Sequence, residues 1–160
     1  PSGYFNDPDS PATSTPFEMQ RYLSKISGPL LDRIDIHIEV NPVPYEKLSQ
    51  SVGGESSSTI RKRVAQARNI QSKRFDSSET IYYNAQMNVK QIRKWCVLQQ
   101  ESSDLLKKAM EQLNLSARAY DRILKVSRTI SDLDNSEHIQ SRHIAEAIQY
   151  RSLDREGWLG

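Results

Sequence analysis

The chain has 160 residues, of which 36% are hydrophobic and 26% are charged, and its 22 basic and 20 acidic side chains leave a net charge of +2. This length is typical of one domain with a substantial core, and so balanced a total charge does not argue for nucleic-acid binding. The single cysteine, Cys96, excludes a disulfide within the chain, and no apolar run is long enough to span a membrane, so we predict a cytoplasmic protein without a membrane partner.

The first part of the chain predicts an irregular lead-in, a short helix and one strand. Residues 1 to 16 contain four of the seven prolines and show no apolar periodicity. A short helix is predicted from Phe17 to about Ile26, and Gly28 ends it. From Arg33 to Val40 apolar and polar side chains alternate, which predicts a half-buried strand with Arg33 on its polar face. The plain interpretation of Arg33 is a surface arginine paired with a neighbouring aspartate, Asp32 or Asp35.

The sequence Asn-Pro-Val-Pro at 41–44 predicts a stiff, extended connector. We therefore place a domain boundary near residue 43, with one unit over residues 1–43 and a helical unit over residues 44–160. Apolar periodicity and capping residues predict helices over about 45–50, 57–75, 88–96, 99–113, 116–133 and 141–151. The predicted N-caps are Ser56 or Ser57, Asn88, Ser116 and Ser141. The predicted fold class is mainly α, a helical bundle preceded by one strand and a short helix.

The predicted helix over 116–133 has one apolar face and one charged face. Spacing favours a solvated charged face held by ion pairs of Asp121 with Arg118 or Lys125 and of Arg128 with Asp132, each worth a few tenths of a kcal/mol. The position of Arg118 argues against this interpretation, because it lies in the first turn, where the helix dipole disfavours a cation and favours an anion nearby. A phosphate ligand would resolve that conflict.

The predicted helix over 57–75 contains six basic residues and no acidic residue. Such a segment raises the hypothesis of nucleic-acid binding. On a helical wheel, however, Arg61 with Arg68, Lys62 with Lys73, and Arg63 with Arg74 point in three different directions, whereas a phosphate-tracking face would group them. The favoured interpretation is a solvated helix with some arginines at subunit contacts, and DNA contact through Arg61, Arg68 and Lys73 is the second one.

The remaining polar candidates are weak. His37, His138 and His143 are scattered without Cys or carboxylate partners at ligand spacing, so no metal site is predicted. Cys96 follows a tryptophan on a short amphipathic segment and is interpreted as a small core residue.

Several motifs occur in a fixed order along the chain. They are SGPLLDRID at 27–35, GESS at 54–57, NA at 84–85, LSARAY at 115–120 and RILKV at 122–126. Together they resemble the motifs of the magnesium-chelatase-like AAA+ ATPases, specifically the ComM/YifB branch, over about residues 3 to 153. The resemblance implies that residues 1–43 are the C-terminal remnant of the AAA+ core and that residues 44–160 are its α-helical lid.

The resemblance also implies roles for two arginines. Arg33 matches the arginine finger, which is presented in trans to the ATP of a neighbouring subunit, and Arg118 matches the sensor-2 arginine, which reaches the ATP phosphates from the lid. The resemblance further implies that a longer parent protein binds ATP with Mg²⁺. It implies that the parent forms a homo-oligomeric ring, expected to be a hexamer, and that this ring acts on DNA as a helicase or branch-migration motor. No cofactor is expected to bind tightly to this piece alone.

The chain lacks the phosphate-binding pattern Gly-x-x-x-x-Gly-Lys-Ser/Thr. We therefore expect a fragment that is inactive and monomeric alone, with the ATP-binding core lying upstream. Two other classes of function remain open. One is a stand-alone helical nucleic-acid-binding module that uses the basic helix over 57–75, and the other is an oligomerisation module that self-associates without a ligand.

Overall fold

The computed structural model describes residues 15, 17, 18, 21, 24–38, 40, 43, 45, 53–76, 78 and 80–151. Within these residues, six α-helices have complete bounds: α1 Gly28–Leu31, α2 Ser57–Arg74, α3 Val89–Trp95, α4 Gln100–Gln112, α5 Ala117–Leu133 and α6 Ser141–Gln149. A short 3₁₀ turn, Asn84–Gln86, lies between α2 and α3. The predicted mainly α fold is confirmed.

Side-chain caps explain where three of the helices begin. The hydroxyl of Ser56 accepts from the backbone N–H of Thr59, and that of Ser116 accepts from the N–H of Ala119. Asn88 accepts from two N–H groups in the first turn of α3. Each cap satisfies donors that have no partner inside the helix. The predicted caps Asn88 and Ser116 are confirmed, and of the two serines predicted for α2 the cap is Ser56.

The last helix begins differently from the prediction. Ser141 is its first helical residue, and the preceding Gln140 occupies the N-cap position. The Nδ1 of His143 accepts from the backbone N–H of Gln140 at 3.1 Å, so an imidazole satisfies a donor at this end of the helix. A histidine in this role is not part of the usual capping pattern, and the sequence prediction therefore chose the serine.

Two asparagines end long helices in the left-handed conformation. Asn114 follows α4 with φ 46°, and Asn135 follows α5 with φ 52°. After Asn114 the N–H of Leu115 donates back to the carbonyl of Met110 at 3.0 Å, which is the long bond of a Schellman motif. Asparagine tolerates this conformation better than other residues with a Cβ.

Helix α5 is the centre of the bundle. It packs against α2, α3, α6 and the 3₁₀ turn, while α4 packs against α6. A single parallel bridge joins Leu98 to Ile139 beside these helices. The core is apolar and includes Phe75, Ile81, Met87, Ile92, Cys96, Leu106, Ile123, Leu124, Ile139, Ile144 and Ala147. The interpretation of Cys96 as a small core residue is confirmed.

The strand predicted from Arg33 to Val40 is not found in the part of that segment that the structure describes. Gly28 was predicted to end the preceding helix, but residues 28–31 form the helical turn α1. The chain then continues through a turn into an irregular segment at 34–38. A strand requires backbone hydrogen bonds to a neighbouring strand, and the described residues contain no such neighbour. The alternating Ile36 and Ile38 are accordingly 44% and 72% exposed.

The described residues 17, 18, 21 and 45 are helical, as the two short predicted helices require. Residues 24–26 form a turn and a bend, so the first of these helices ends before the predicted Ile26. The remainder of the helix predicted at 45–50 and the lead-in up to residue 14 lie outside the described residues.

Candidate functional site

Arg33 lies on the exposed surface of the turn that follows α1. Its Nη1 donates to the carbonyl oxygen of Pro29 at 2.9 Å, one helical turn earlier in the chain. Neither Asp32 nor Asp35 lies within ion-pair distance of it, so the plain pairing considered from the sequence is wrong. Asp35 instead binds Arg122 of α5. The charge of Arg33 is therefore not neutralised by either neighbouring aspartate.

The segment that carries Arg33 is attached to the end of α6 by buried hydrogen bonds. Arg151 is only 1% exposed, and its guanidinium donates to the carbonyl oxygens of Leu31 and Ile34. Further along, the N–H of His37 donates to the carbonyl of Tyr150 at 2.8 Å. Arg33 therefore projects from a turn whose backbone is bonded on both sides of it.

The same segment is also attached to α5. The Nη1 of Arg122 lies 2.7 Å from the Oδ1 of Asp35. Arg118 lies four residues earlier on α5, about 6 Å along the helix axis. Arg118, which is predicted to reach a phosphate, is therefore a neighbour of Arg122 on α5. Arg122 is the residue that holds the Arg33 segment.

Arg118 is exposed in the first turn of α5. No carboxylate of the described residues lies within ion-pair distance of its guanidinium, and the first turn contains no acidic residue. Ser116 caps this end by accepting from the N–H of Ala119 at 3.2 Å. A free guanidinium beside the positive end of a helix dipole is a site that favours an anion.

Part of the charged face of α5 is buried, contrary to the sequence prediction. Arg128 and Asp132 are 4% and 1% exposed, and they form the expected i,i+4 contact with Arg128 Nε 3.2 Å from Asp132 Oδ1. Arg74 of α2 also binds Asp132, with its Nη1 2.7 Å from Oδ2 and its Nη2 on Oδ1. The partner from α2 explains the burial, because α2 packs over this part of α5.

This buried cluster of Arg74, Arg128 and Asp132 has a second layer of partners. Asn84 donates to Asp132 Oδ2 at 2.8 Å and accepts from Arg74 at 2.7 Å. Arg128 donates to the carbonyl oxygens of Ser136 and Glu137. Burial lowers the pKa of Arg128 from its usual value, and the charge of Asp132 opposes that shift. The cluster joins α2, the 3₁₀ turn and α5 and is a structural element.

The six basic residues of α2 fall into different environments. Arg63 forms a two-pronged ion pair with Glu55, at 2.8 and 3.0 Å, and Arg74 is in the buried cluster. Arg61, Arg68 and Lys73 are exposed. The guanidinium of Arg68 lies over the ring of Tyr83, 4.2 Å from its centroid. The structure thus separates cations that the sequence treats alike.

The histidines are separated in the structure. His37 and His143 are buried and His138 is exposed, and no group of three His, Cys, Asp or Glu side chains able to hold a metal ion occurs in the described part of the chain. The Nε2 of His143 lies 3.0 Å from Asp134, and this hydrogen bond lowers the pKa of Asp134. Among the described residues, no helix is both long and apolar enough to cross a membrane.

Two parts of this chain match known protein families. Residues 54–151 match the family described as "Magnesium chelatase, subunit ChlI C-terminal", and residues 1–48 match "Magnesium chelatase, subunit ChlI". The competence protein ComM of Haemophilus influenzae is 41% identical over 157 residues, which cover 97% of this chain and 29% of ComM. YifB of Escherichia coli is 42% identical over 142 residues, which cover 88% of this chain and 27% of YifB.

The chain spans less than a third of the length of these curated relatives. The two family matches together extend from residue 1 to residue 151 and include Arg33 in the first match and Arg118 in the second. The chain therefore belongs to the magnesium-chelatase-like AAA+ family of ComM and YifB and corresponds to its C-terminal region.

Proposed function

We propose that this chain is the lid and the adjoining end of the core in a ring-forming ATPase that acts on DNA. Arg118 binds the phosphates of the ATP held by its own subunit, and Arg33 is the arginine finger for the ATP of the neighbouring subunit. The activity belongs to the longer protein, whose phosphate loop is not part of this sequence. The single observation that carries the proposal is that both arginines are exposed and lack a neutralising carboxylate among the described residues.

The position of Arg118 fits a phosphate. A triphosphate carries several negative charges, and both the helix N-terminus and a guanidinium attract them. When bound, ATP with Mg²⁺ supplies the phosphoryl group that is transferred to water. Arg118 holds the phosphate charge on the lid side of the site.

Arg33 fits a role at a subunit boundary. A finger must be exposed, must keep its charge free and must sit on a rigid support, because small displacements reduce catalysis strongly. Its Pro29 hydrogen bond is a single contact to a carbonyl, which a more favourable phosphate contact can replace. An arginine fork stabilises charge that spreads over the phosphoryl oxygens, worth on the order of 10³ to 10⁵ in rate.

The test is ATP hydrolysis by the longer protein with mixed subunits. Arg33→Ala subunits and subunits without the phosphate-loop lysine should each be inactive alone. Mixed together they should regain activity, because an intact phosphate loop then meets an intact Arg33 from its neighbour. Arg118→Ala subunits mixed with the same lysine variant should remain inactive, since no subunit then has both groups in its own site.

Arg93→Ala is the matched control, because Arg93 is an exposed arginine on α3. It should hydrolyse ATP at the wild-type rate. Normal activity of Arg33→Ala alone would refute the finger assignment. Recovery in the Arg118→Ala mixture would refute the assignment of Arg118 to its own subunit's ATP.

A further inference from the structure

The structure removes two of the six cations of α2 from consideration as ligand-binding groups. Arg63 is neutralised by Glu55, and Arg74 is held by Asp132 in the buried cluster. The other four cations are exposed and have no carboxylate within ion-pair distance among the described residues. We call these four residues the α2 cation sector: Arg61, Lys62, Arg68 and Lys73.

The cation sector occupies one side of the helix. At about 100° per residue, its four members lie within about 140° of the circumference, and Ala65 and Ser72 lie between them. The buried residues Ala67 and Gln71 lie on the other side, facing α5. On the helical wheel the six basic residues of α2 point in three directions. One of these directions contains only Arg63 and Arg74, which are both neutralised, so the other four cations share one face.

Exposed aromatic side chains lie beside this sector. Tyr82 and Tyr83 are 54% and 44% exposed, with ring centroids 6.3 Å apart and planes tilted by 55°. Arg68 covers one face of Tyr83. Cations that follow a backbone and aromatic rings on which bases stack are the two components of surfaces that bind single-stranded nucleic acid.

We propose that the α2 cation sector, together with Tyr82 and Tyr83, binds single-stranded nucleic acid. This inference deepens the proposed function and rests on its claim that the ring acts on DNA. The sector extends about 18 Å along the helix, long enough for several phosphates. A protein partner fits less well, because the centre of a protein interface is usually apolar and aromatic, whereas Ala65 is the apolar residue between these cations.

The experiment measures binding of a fluorescein-labelled oligo(dT) to the 160-residue chain by fluorescence anisotropy over a series of salt concentrations. No nucleotide is added. The variant R61Q/R68Q removes two sector charges, and K107Q/K108Q removes two exposed charges from α4 as a matched control. Tyr82→Ala removes one ring, and a duplex of the same length is the second probe. Circular dichroism shows that each variant is folded.

We expect R61Q/R68Q to weaken oligo(dT) binding and to reduce the slope of log K against log salt by about 1.4, since each phosphate contact on a single strand contributes about 0.7. K107Q/K108Q should keep the wild-type affinity and slope. Tyr82→Ala should weaken oligo(dT) binding by about 5-fold to 150-fold, the equivalent of about 1 to 3 kcal/mol per stacked base, and should change duplex binding much less.

The proposal is overturned if the chain does not bind oligo(dT), or if the two double variants weaken binding equally, which would indicate a general charge effect. It is also overturned if Tyr82→Ala has no effect on the single strand. These results do not depend on ATP. If the oligo(dT) experiment fails and the subunit-mixing experiment succeeds, the α2 cation sector is not a nucleic-acid-binding surface. The proposed ATP roles of Arg33 and Arg118 would then still stand.

Discussion

The carboxylate of Asp35 and the guanidinium of Arg122 are 2.7 Å apart, although the two residues are separated by 87 positions in the sequence. Asp35 lies two residues after Arg33, and Arg122 lies one helical turn after Arg118. The pair therefore joins the exposed arginine of the α1 turn to the helix that bears the other exposed arginine. In the proposed function, a movement of the lid over one ATP would move Arg33 with it.

The Asp35–Arg122 pair should contribute modestly to stability. Its side chains are 43% and 32% exposed, so solvent screens the attraction. We expect a coupling free energy of about 0.2 to 1 kcal/mol. The measurement is urea unfolding of Asp35→Asn, Arg122→Gln and the double variant. Additive effects of the two single substitutions would show that the contact contributes nothing.

Asp132 should be far more important for stability. Asp132→Ala leaves Arg74 and Arg128 buried without their shared carboxylate, and breaking a buried pair in this way costs about 3 to 5 kcal/mol. Thermal and urea unfolding measure the loss. Asp104→Ala is the control, because Asp104 is exposed and accepts from Gln100 on the same helix. Similar effects of both substitutions would contradict a special role of the buried cluster.

Arg151 should hold the Arg33 segment in place. Arg151→Lys keeps the charge but loses the forked contact with the carbonyls of Leu31 and Ile34, and a hydrogen bond from a charged group is worth about 1.5 to 3 kcal/mol. Amide hydrogen exchange in residues 30–38 should accelerate about tenfold or more, because 1.4 kcal/mol corresponds to a factor of about ten.

The matched control for this prediction is Arg142→Lys on α6. Arg142 binds Asp134 at the surface, and its side chain is 64% exposed. Its substitution should leave exchange in residues 30–38 unchanged. Unchanged exchange in Arg151→Lys as well would mean that the other contacts of this segment are sufficient to hold it.

Cys96 should make stability depend on pH in the alkaline range. Burial raises the pKa of its thiol from about 9.0 to about 12. The folded state then binds the thiol proton more tightly than the unfolded state, so this contribution is complete below about pH 9 and is lost as pH rises towards 12. Cys96→Ala should lack that loss. The measurement is the free energy of unfolding of both proteins from about pH 8 to about pH 11.

The thiol of Cys96 should also react slowly in the native protein. A thiolate is the reactive form, and at pH 8 a thiol with this pKa is almost entirely protonated. We expect slow modification by a disulfide reagent under native conditions and rapid modification in denaturant. Equal rates in both conditions would contradict the burial of Cys96.

Local sequence determined most of the helices. Ser56, Asn88 and Ser116 cap the helices they were predicted to cap, because a cap is a contact between residues two or three positions apart. The motifs that resemble the ComM/YifB branch also lie in the sequence itself, and the family comparisons confirm that assignment. The roles of Arg33 and Arg118 and the boundary near residue 43 stay predictions.

Tertiary structure decided which charged residues are free and which are held. Arg128, Asp132 and Arg74 look like surface residues in a helical projection. Arg128 and Asp132 are buried and the side chain of Arg74 is only 9% exposed, because α2 packs on α5. Arg63 and Arg74 are neutralised by partners 8 and 58 residues away, which left the other cations of α2 on one face. The prediction of a strand from Arg33 to Val40 was wrong for the same physical reason. Strand pairing and burial depend on partners that are distant in sequence, whereas helical turns and caps depend on neighbouring residues.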